Sequence, residues 1–480
     1  MKSMKKIPKY SLVLVILTFI GLFFRIIAAY FIPLTFDEAH NILMSRSDDL
    51  ALTVKVVAAY YPPLYFIIWH FWQKLFINLF MVRILSVVFG ILTILSVAYV
   101  SRKLFNQTVS LIATFLIATT PSLIFYSATA RMYSLAIVIT IWIIYYFIRI
   151  QTKPQLWYVF GLFWLLGLYT HYYFLILGIM LNFILIYNQK LQIIKIHRWL
   201  WLHIIILLSL IPILNNVLSG NKWVSVPFNT PLKLPIFYMS MLLPWDIIQN
   251  LPLINHKSFD WLSIFWLISS CFFLLTIILK FKKIFLHEVI IQLLFIFFFT
   301  PILLYLISNF LVPVFAVRSF IIFFPFFVLL TAYLVAECKS VIRSAWLFFI
   351  TLLYVGIIII LLHQTNPNSQ LYQHFDQSDI VVYNDIVLFL PSVFLNPPGE
   401  HWLLYSGHLD TTSLNILHIS VTNLNQIPLN RNVWYVKQFT NWPLYEKEAN
   451  KIENFLLEKF EQIEKYNYPH HQVISYKPKI

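Results

Sequence analysis

Long apolar runs recur through this chain, each bounded by a short basic cluster, and that alternation constrains the fold more than any motif. A helix needs roughly 20 apolar residues to cross a bilayer. Runs at 11–32, 82–101, 108–126, 133–148, 199–218 and 342–362 meet that need. A pair turns around Tyr169-Thr170-His171 within 156–187, and three more spans end near Lys283, Asn309 and Lys339. The segment 61–79 is short, aromatic and rich in tryptophan, as expected of a helix lying in the interface. With that segment off the count, the clusters at Arg102-Lys103, Arg149 and Lys153, Lys190 to Arg198, Lys280 to Lys283, and Lys339 and Arg343 share one side. The positive-inside bias makes that side cytoplasmic. The chain therefore reads as eleven spans, N-terminus in and C-terminus out.

The net charge of +15 is accounted for by these clusters, so it does not point to nucleic acid. Lys2, Lys5, Lys6 and Lys9 precede the first run, which lacks a small-residue cleavage site and reads as a retained anchor. The two cysteines, Cys271 and Cys338, lie in or beside apolar spans and offer no disulfide framework.

After Gln364 charges and turn residues return. Residues 379–383, 402–405 and 433–436 read as short buried strands. Ile452, Phe455, Leu456, Phe460 and Ile463 recur at helical spacing over 444–466, and 472–476 reads as a last strand. The expected architecture is mainly α and polytopic, with a small extracytoplasmic α/β domain. Its expected parts are a membrane domain, 1–363, with external loops 33–80 and 219–258, and a soluble domain, 364–480.

Ionisable groups at membrane depth are costly and mark function or a partnered structural role. The first such group is Thr35-Phe36-Asp37-Glu38-Ala39-His40, where the first span meets water. Thr35 and Glu38 fit the S/T-x-x-E capping box that starts a helix, which gives Glu38 a structural task. Asp37 is not needed for the box; it either serves the helix dipole or acts as a general base. Arg131 and Arg318 sit at outer boundaries, against the orientation bias. They either snorkel to headgroups or converge on a phosphate through forked hydrogen bonds. Arg83 and Arg25 are further arginine candidates. His171, at an outer turn, reads as a metal ligand, an acceptor contact or an interfacial aromatic. With His40, Asp37 and Glu38 it leaves a divalent metal open, without tight ligand spacing. Walker A, dinucleotide-binding and Gly-x-Ser-x-Gly patterns are absent.

Taken in order, Phe36-Asp37-Glu38-Ala39-His40, Tyr61-Pro62-Pro63-Leu64-Tyr65, Arg83-Ile84-Leu85-Ser86, Ala130-Arg131-Met132-Tyr133-Ser134, Tyr169-Thr170-His171 and Arg318 form a familiar series. The set resembles the GT-C glycosyltransferases, in the bacterial branch of the protein O-mannosyltransferase and aminoarabinose transferase-like superfamily. The resemblance covers roughly residues 10–335. It implies a polyprenyl-phosphate sugar as donor, Asp37 as base, and Arg131 and Arg318 as holders of the donor phosphate. Glu38, His40, Tyr65, Arg83 and His171 stand as supporting candidates. The sequence also departs from the protein mannosyltransferase pattern. Leu64, Tyr65 and Phe66 follow the proline pair where a charged residue is usual, and Ser134, Leu135 and Ala136 occupy a stretch that usually holds an Asp.

The implied chemistry is self-consistent. Phosphate leaves as a stable anion, so one carboxylate suffices, unlike the carboxylate pair of a glycoside hydrolase. The expectation is an inverting transferase acting on a hydroxyl acceptor, whether lipid, glycan or protein, at the outer face of the cell (inner) membrane. The rival is a non-enzymatic lipid-linked-sugar carrier or flippase, which favours repeats and polar groups near the midplane. Here the polar residues gather at the outer rim.

Overall fold

The computed structural model describes residues 9–46, 49–57, 61–188, 196–219, 287–310, 317–362, 371–404, 422–438, 443–468 and 471–479. The expected eighth span and the loop 219–258 thus lie outside the described residues, apart from Ser219 at a helix end. By its contacts the chain divides into two units. One comprises Met1–Phe31 and Val57–His363, the other Ile32–Val56 and Gln364–Ile480. The first half of the expected external loop 33–80 therefore groups with the C-terminal residues.

In the first unit, α1 (Lys9–Phe31) matches the expected first span. Leu12, Ile16, Phe19, Phe23, Ile26 and Tyr30 are exposed at spacings of three and four, an apolar stripe suited to lipid. The opposite side buries Gly21, Arg25, Ala28 and Ala29. Small residues let helices approach closely in membranes. A Cβ on Gly21 would stand 2.4 Å from Ile94 Cδ1 and 3.2 Å from the Ala118 Cβ, so nothing larger fits there unless Ile94 gives way.

α2 (Phe36–Met44) and most of α3 (Leu50–Val57) belong to the second unit. α4 (Leu64–Leu75) follows in the first. Its 12 residues reach roughly 18 Å at 1.5 Å per residue, too short for a hydrocarbon core of about 30 Å. This agrees with the interfacial reading of 61–79. α5 (Leu79–Leu104) and α8 (Tyr133–Ile150) are continuous spans. The expected third span, 108–126, is not continuous: α6 (Gln107–Thr119) and α7 (Pro121–Ala128) meet at a bend of 56°. Then come α9 (Trp157–Leu168), α10 (Tyr173–Tyr187), α11 (Ile196–Ser219), α12 (Glu288–Phe310), α13 (Phe324–Ala336) and α14 (Ser340–Leu362). The expected tenth span opens as a 3-10 turn, Val317–Phe323, before α13 begins. Among the described residues six helices are long and apolar enough to cross a membrane, or seven with the bent pair counted as one span. A reciprocal pair of buried amides, Gln151 and Gln292, joins α8 to α12 through hydrogen bonds of 3.1 and 3.0 Å.

The bend has a specific cause. The carbonyl of Ile117 would take its helical hydrogen bond from the amide of residue 121, which is proline and has none. The turn away also removes the partner of Ala118. Arg25 supplies the missing donors: Nη2 bonds the Ile117 carbonyl at 2.9 Å and Nη1 the Ala118 carbonyl at 3.0 Å. Nη1 also bonds its own helix at Gly21, at 3.0 Å. Arg25 is fully buried. This corrects its reading as a phosphate candidate, because its forked donors cap a broken helix.

The second unit holds a five-stranded sheet in the order β2-β1-β3-β5-β4. β1 (Ile380–Tyr383) runs parallel to β2 (Glu400–Leu403) and to β3 (Val433–Gln438). β5 (His471–Pro478) is antiparallel to β3 and to β4 (Phe460–Asn467). α15 (Ile386–Leu395) and α16 (Pro443–Lys459) complete it. Ile452 and Leu456 of α16 share a core with Ile380, Val382, Val433, Tyr435, Ile474 and Tyr476. The three expected strands and the last one are present, with small shifts in their ends. The expected helix over 444–466 stops at Lys459, and Phe460 and Ile463 belong to β4. Their spacing continues the helical period, but pairing with β5 satisfies that backbone as a strand. Exposed Glu461, Glu464 and Lys465 guard this sheet edge.

Replacing Arg25 should test the helix-break cap. Arg25→Met orphans two buried carbonyls, at a cost of about 1–3 kcal/mol each, while Arg25→Lys retains one charged donor group. The expected order of thermal unfolding midpoints in detergent is wild type, then Lys, then Met. A Met variant as stable as wild type would show that the carbonyls do not need this side chain.

Candidate active site

The arginine site grows from the bend. α7 ends at Ala128, and Thr129 to Met132 turn into the first residue of α8. A hydrogen bond of 2.8 Å from the Arg131 amide to the Thr129 carbonyl tightens that turn. Arg131 is buried, with its guanidinium carbon 5.2 Å from the Tyr133 ring centroid. Tyr133 lies 4.8 Å from Tyr126 and 6.1 Å from the His171 ring. His171 occupies the turn between α9 and α10, with Tyr173 edge-on at 5.0 Å. Tyr173 continues to Phe320 at 5.6 Å, in the 3-10 turn that Arg318 shares.

His171 feels the charge of both arginines. Burial pushes its pKa down to about 3, and the charges of Arg131 and Arg318 add to the shift. Arg318 is solvent-exposed and Arg131 is not, yet both act on one ring. The imidazole is neutral at any physiological pH. Its Nδ1 accepts from the Tyr173 amide at 3.2 Å, which places the proton on Nε2.

Polar side chains that sequence reasoning missed stand near Arg131 and His171 in the chain. Thr129 Oγ1, Ser134 Oγ and the Tyr172 hydroxyl are buried without a hydrogen-bond partner among the described residues. Burial pushes Tyr172 up to about 12, so its hydroxyl keeps its proton. Buried polar atoms are nearly always paired, and these three lie close to Arg131 or His171 in the chain. The available signal was the run of small hydroxylated residues in Ser127-Ala128-Thr129-Ala130-Arg131, within an otherwise apolar stretch.

α4 fastens both halves of the group. The Leu64 amide bonds the Tyr169 carbonyl at 2.8 Å, next to the His171 turn. Tyr65, fully buried, sets its hydroxyl 3.0 Å from Ser86 Oγ, which in turn reaches the Arg131 carbonyl at 3.5 Å. Arg83, also buried, bonds the Ala29 carbonyl at 2.9 Å and so ties α5 to α1.

The acidic residues belong to the second unit. Thr35 caps α2, its hydroxyl accepting from the Glu38 amide at 3.3 Å, as the capping-box spacing anticipates. Glu38 and His40 are buried on α2, whereas Asp37 is half-buried in its first turn. Among the described residues no three His, Cys, Asp or Glu side chains gather as a metal-holding group.

Comparisons with known proteins bear on the fold. Residues 60–215 match the family model for dolichyl-phosphate-mannose-protein mannosyltransferases. The structure of ArnT from Cupriavidus metallidurans in the apo state is similar at a TM-score of 0.59, with 10% identity, over 96% of this chain and 97% of that one. The same protein bound to undecaprenyl phosphate is similar at 0.57, with equal identity and coverage. The fold is similar to that of ArnT over nearly the whole chain, and the family match covers residues 60–215. No curated protein sequence matches the chain.

The state of His171 is open to measurement. Its depressed pKa means that protons taken up by the unfolded chain near pH 6.5 are refused by the folded one. It therefore lowers stability only as pH falls from about 6.5 towards 3. Glycosyl-transfer activity, where measured, should show no inflection near pH 6.5 that His171→Gln removes. A wild-type inflection near 6.5 that vanishes in the variant would mean that His171 titrates in the working range.

Proposed function

We propose that this chain is an inverting glycosyltransferase that moves a sugar from a polyprenyl-phosphate donor to a hydroxyl acceptor at the outer face of the cell (inner) membrane. The observation that carries the reading is the joint action of Arg131 and Arg318 on buried, neutral His171, in a group lined with unpartnered hydroxyls. Two guanidinium groups and several neutral donors suit a phosphate, which accepts forked hydrogen bonds. ArnT, whose fold is similar, has been seen with undecaprenyl phosphate bound.

In the proposed reaction Asp37 removes the proton of the acceptor hydroxyl. The oxygen attacks the anomeric carbon opposite the phosphate, and the carbon–oxygen bond to phosphate breaks with its electron pair leaving on phosphate. Arg131 and Arg318 stabilise the charge that develops there. His171, through Nε2–H, adds a neutral donor. Glu38 builds the helix, and Tyr65 and Arg83 hold the frame. The family match to transferases favours this reading over a lipid-linked-sugar carrier.

One set of variants tests the roles, with turnover and donor affinity measured separately. Asp37→Asn removes the basic oxygen and should lower turnover by about 10²–10⁴-fold while donor affinity stays. Glu38→Gln still caps a helix and should keep most activity. Arg131→Lys and Arg318→Lys lose the planar fork and should each lose about 2–3 kcal/mol of transition-state stabilisation. Normal turnover in Asp37→Asn would remove it as the base, and wild-type donor kinetics in both Lys variants would remove the clamp.

The proposed orientation puts the N-terminus in the cytoplasm and residues 364–480 outside. It is supported by the basic residues at the ends of α5 and α8 and around the start of α14. In intact cells, with native cysteines replaced by serine, an impermeant thiol reagent should label Asn467→Cys but not Thr152→Cys. The reverse pattern would invert the topology.

A further inference from the structure

The helix that carries Asp37 does not have the means to hold itself in place. α2 has nine residues, and isolated helices shorter than about 12–15 residues are marginal in water. The Thr35 cap satisfies one amide at its start. Packing adds to its order, and a helix it packs on is α15, more than three hundred positions later in the sequence. α15 is itself fixed to the sheet. It packs on β1 and β2, with Phe389 set edge-on to Tyr383 of β1 at 5.5 Å. Just past the end of α2, the guanidinium of Arg46 lies 4.6 Å from the centroid of the Phe394 ring, in the last turn of α15. The stretch 32–56 and residues 364–480 accordingly form one compact unit.

We infer that the C-terminal α/β unit is a positioning element for catalysis: α15 seats α2 and so aims Asp37, with Phe394 and Arg46 as positioning residues. The inference rests on the reading of Asp37 as the base. Its physical logic is that a carboxylate in the first turn of a helix points where the helix points. A rotation of α2 on its seat moves the basic oxygen away from the acceptor proton. Arg131 and Arg318 belong to the other unit. Loss of the seat therefore lowers turnover and spares donor binding. The unit needs no ligand of its own for this role.

The test uses the full-length protein in detergent or nanodiscs. Phe394→Ala removes the ring under Arg46, Phe394→Tyr keeps a ring, and Arg46→Ala removes the cation from an exposed position that the fold tolerates. Hydrogen exchange of the peptide covering 36–44 reads the seat directly, and exchange in β3 and β5 shows that the domain is still folded. Phe394→Ala and Arg46→Ala should each speed exchange in 36–44 and lower kcat. The fall in kcat should approach about 100-fold for the larger truncation, the scale of a 1 Å misplacement. Donor affinity should stay within about twofold, and Phe394→Tyr should restore most of both readouts. Unchanged exchange in 36–44 in both truncations overturns the seat. Faster exchange with unchanged kcat overturns the positioning role, as does a loss of donor affinity that matches the loss of kcat. If Phe394→Ala does not fold, Arg46→Ala decides by the same readouts. Failure of the base assignment is seen separately, as normal turnover in Asp37→Asn.

Discussion

A helix broken within a membrane span leaves carbonyls that lipid cannot satisfy, and the first unit is arranged around the answer to that problem. Pro121 ends α6, and Arg25 fills the gap with both of its terminal nitrogens. The break lets α7 depart at 56° and deliver Thr129, Arg131 and Ser134 to one turn. Without the break the same residues would wind along a continuous helix, on different faces. The close contact at Gly90 belongs to the same device. A Cβ there would come within 2.8 Å of Arg25 Nε and 2.7 Å of Ser127, so α5 leaves room for the guanidinium and for the start of the turn. One buried arginine thus holds the bend that positions another.

Much of this was legible in sequence because membranes enforce simple rules. Apolar length and basic flanks marked α1, α5, α8, α12 and α14, and the shortness of 61–79 marked α4 as a helix that does not cross. Composition marked the C-terminal unit, and alternation marked its strands. What failed did so for physical reasons. Pro121 inside an apolar run does not announce a break, since neighbours in a membrane can satisfy freed backbone groups; here the neighbour is an arginine 92 positions away. The strand at 460–467 was hidden because Phe460 and Ile463 continue the period of α16 until pairing decides between helix and strand.

The site was half legible. An arginine at the end of an apolar run drew attention to Arg131 and Arg318, whose charges both lower the pKa of His171. Arg25 gave a similar signal for a different reason, and only its hydrogen bonds separate the two cases. The hydroxyls of Thr129, Ser134 and Tyr172 carry no such signal, because a serine or threonine in an apolar helix usually bonds its own backbone four residues back. Thr114, Thr140 and Ser127 do just that. Those without a backbone or side-chain partner emerge only once the turn is built.

The neutrality of His171 completes the electrostatic argument. An imidazolium beside two guanidinium groups would be a third positive charge in a buried place, and burial with the two arginines suppresses it. A donor phosphate arriving there would bring negative charge and favour protonation, opposing the arginines' effect on the ring. The desolvation cost, the largest of the influences on His171, does not depend on that charge and keeps acting while the ring stays buried. The ring therefore keeps a fixed Nε2–H, with the Tyr173 amide bonded to its other nitrogen.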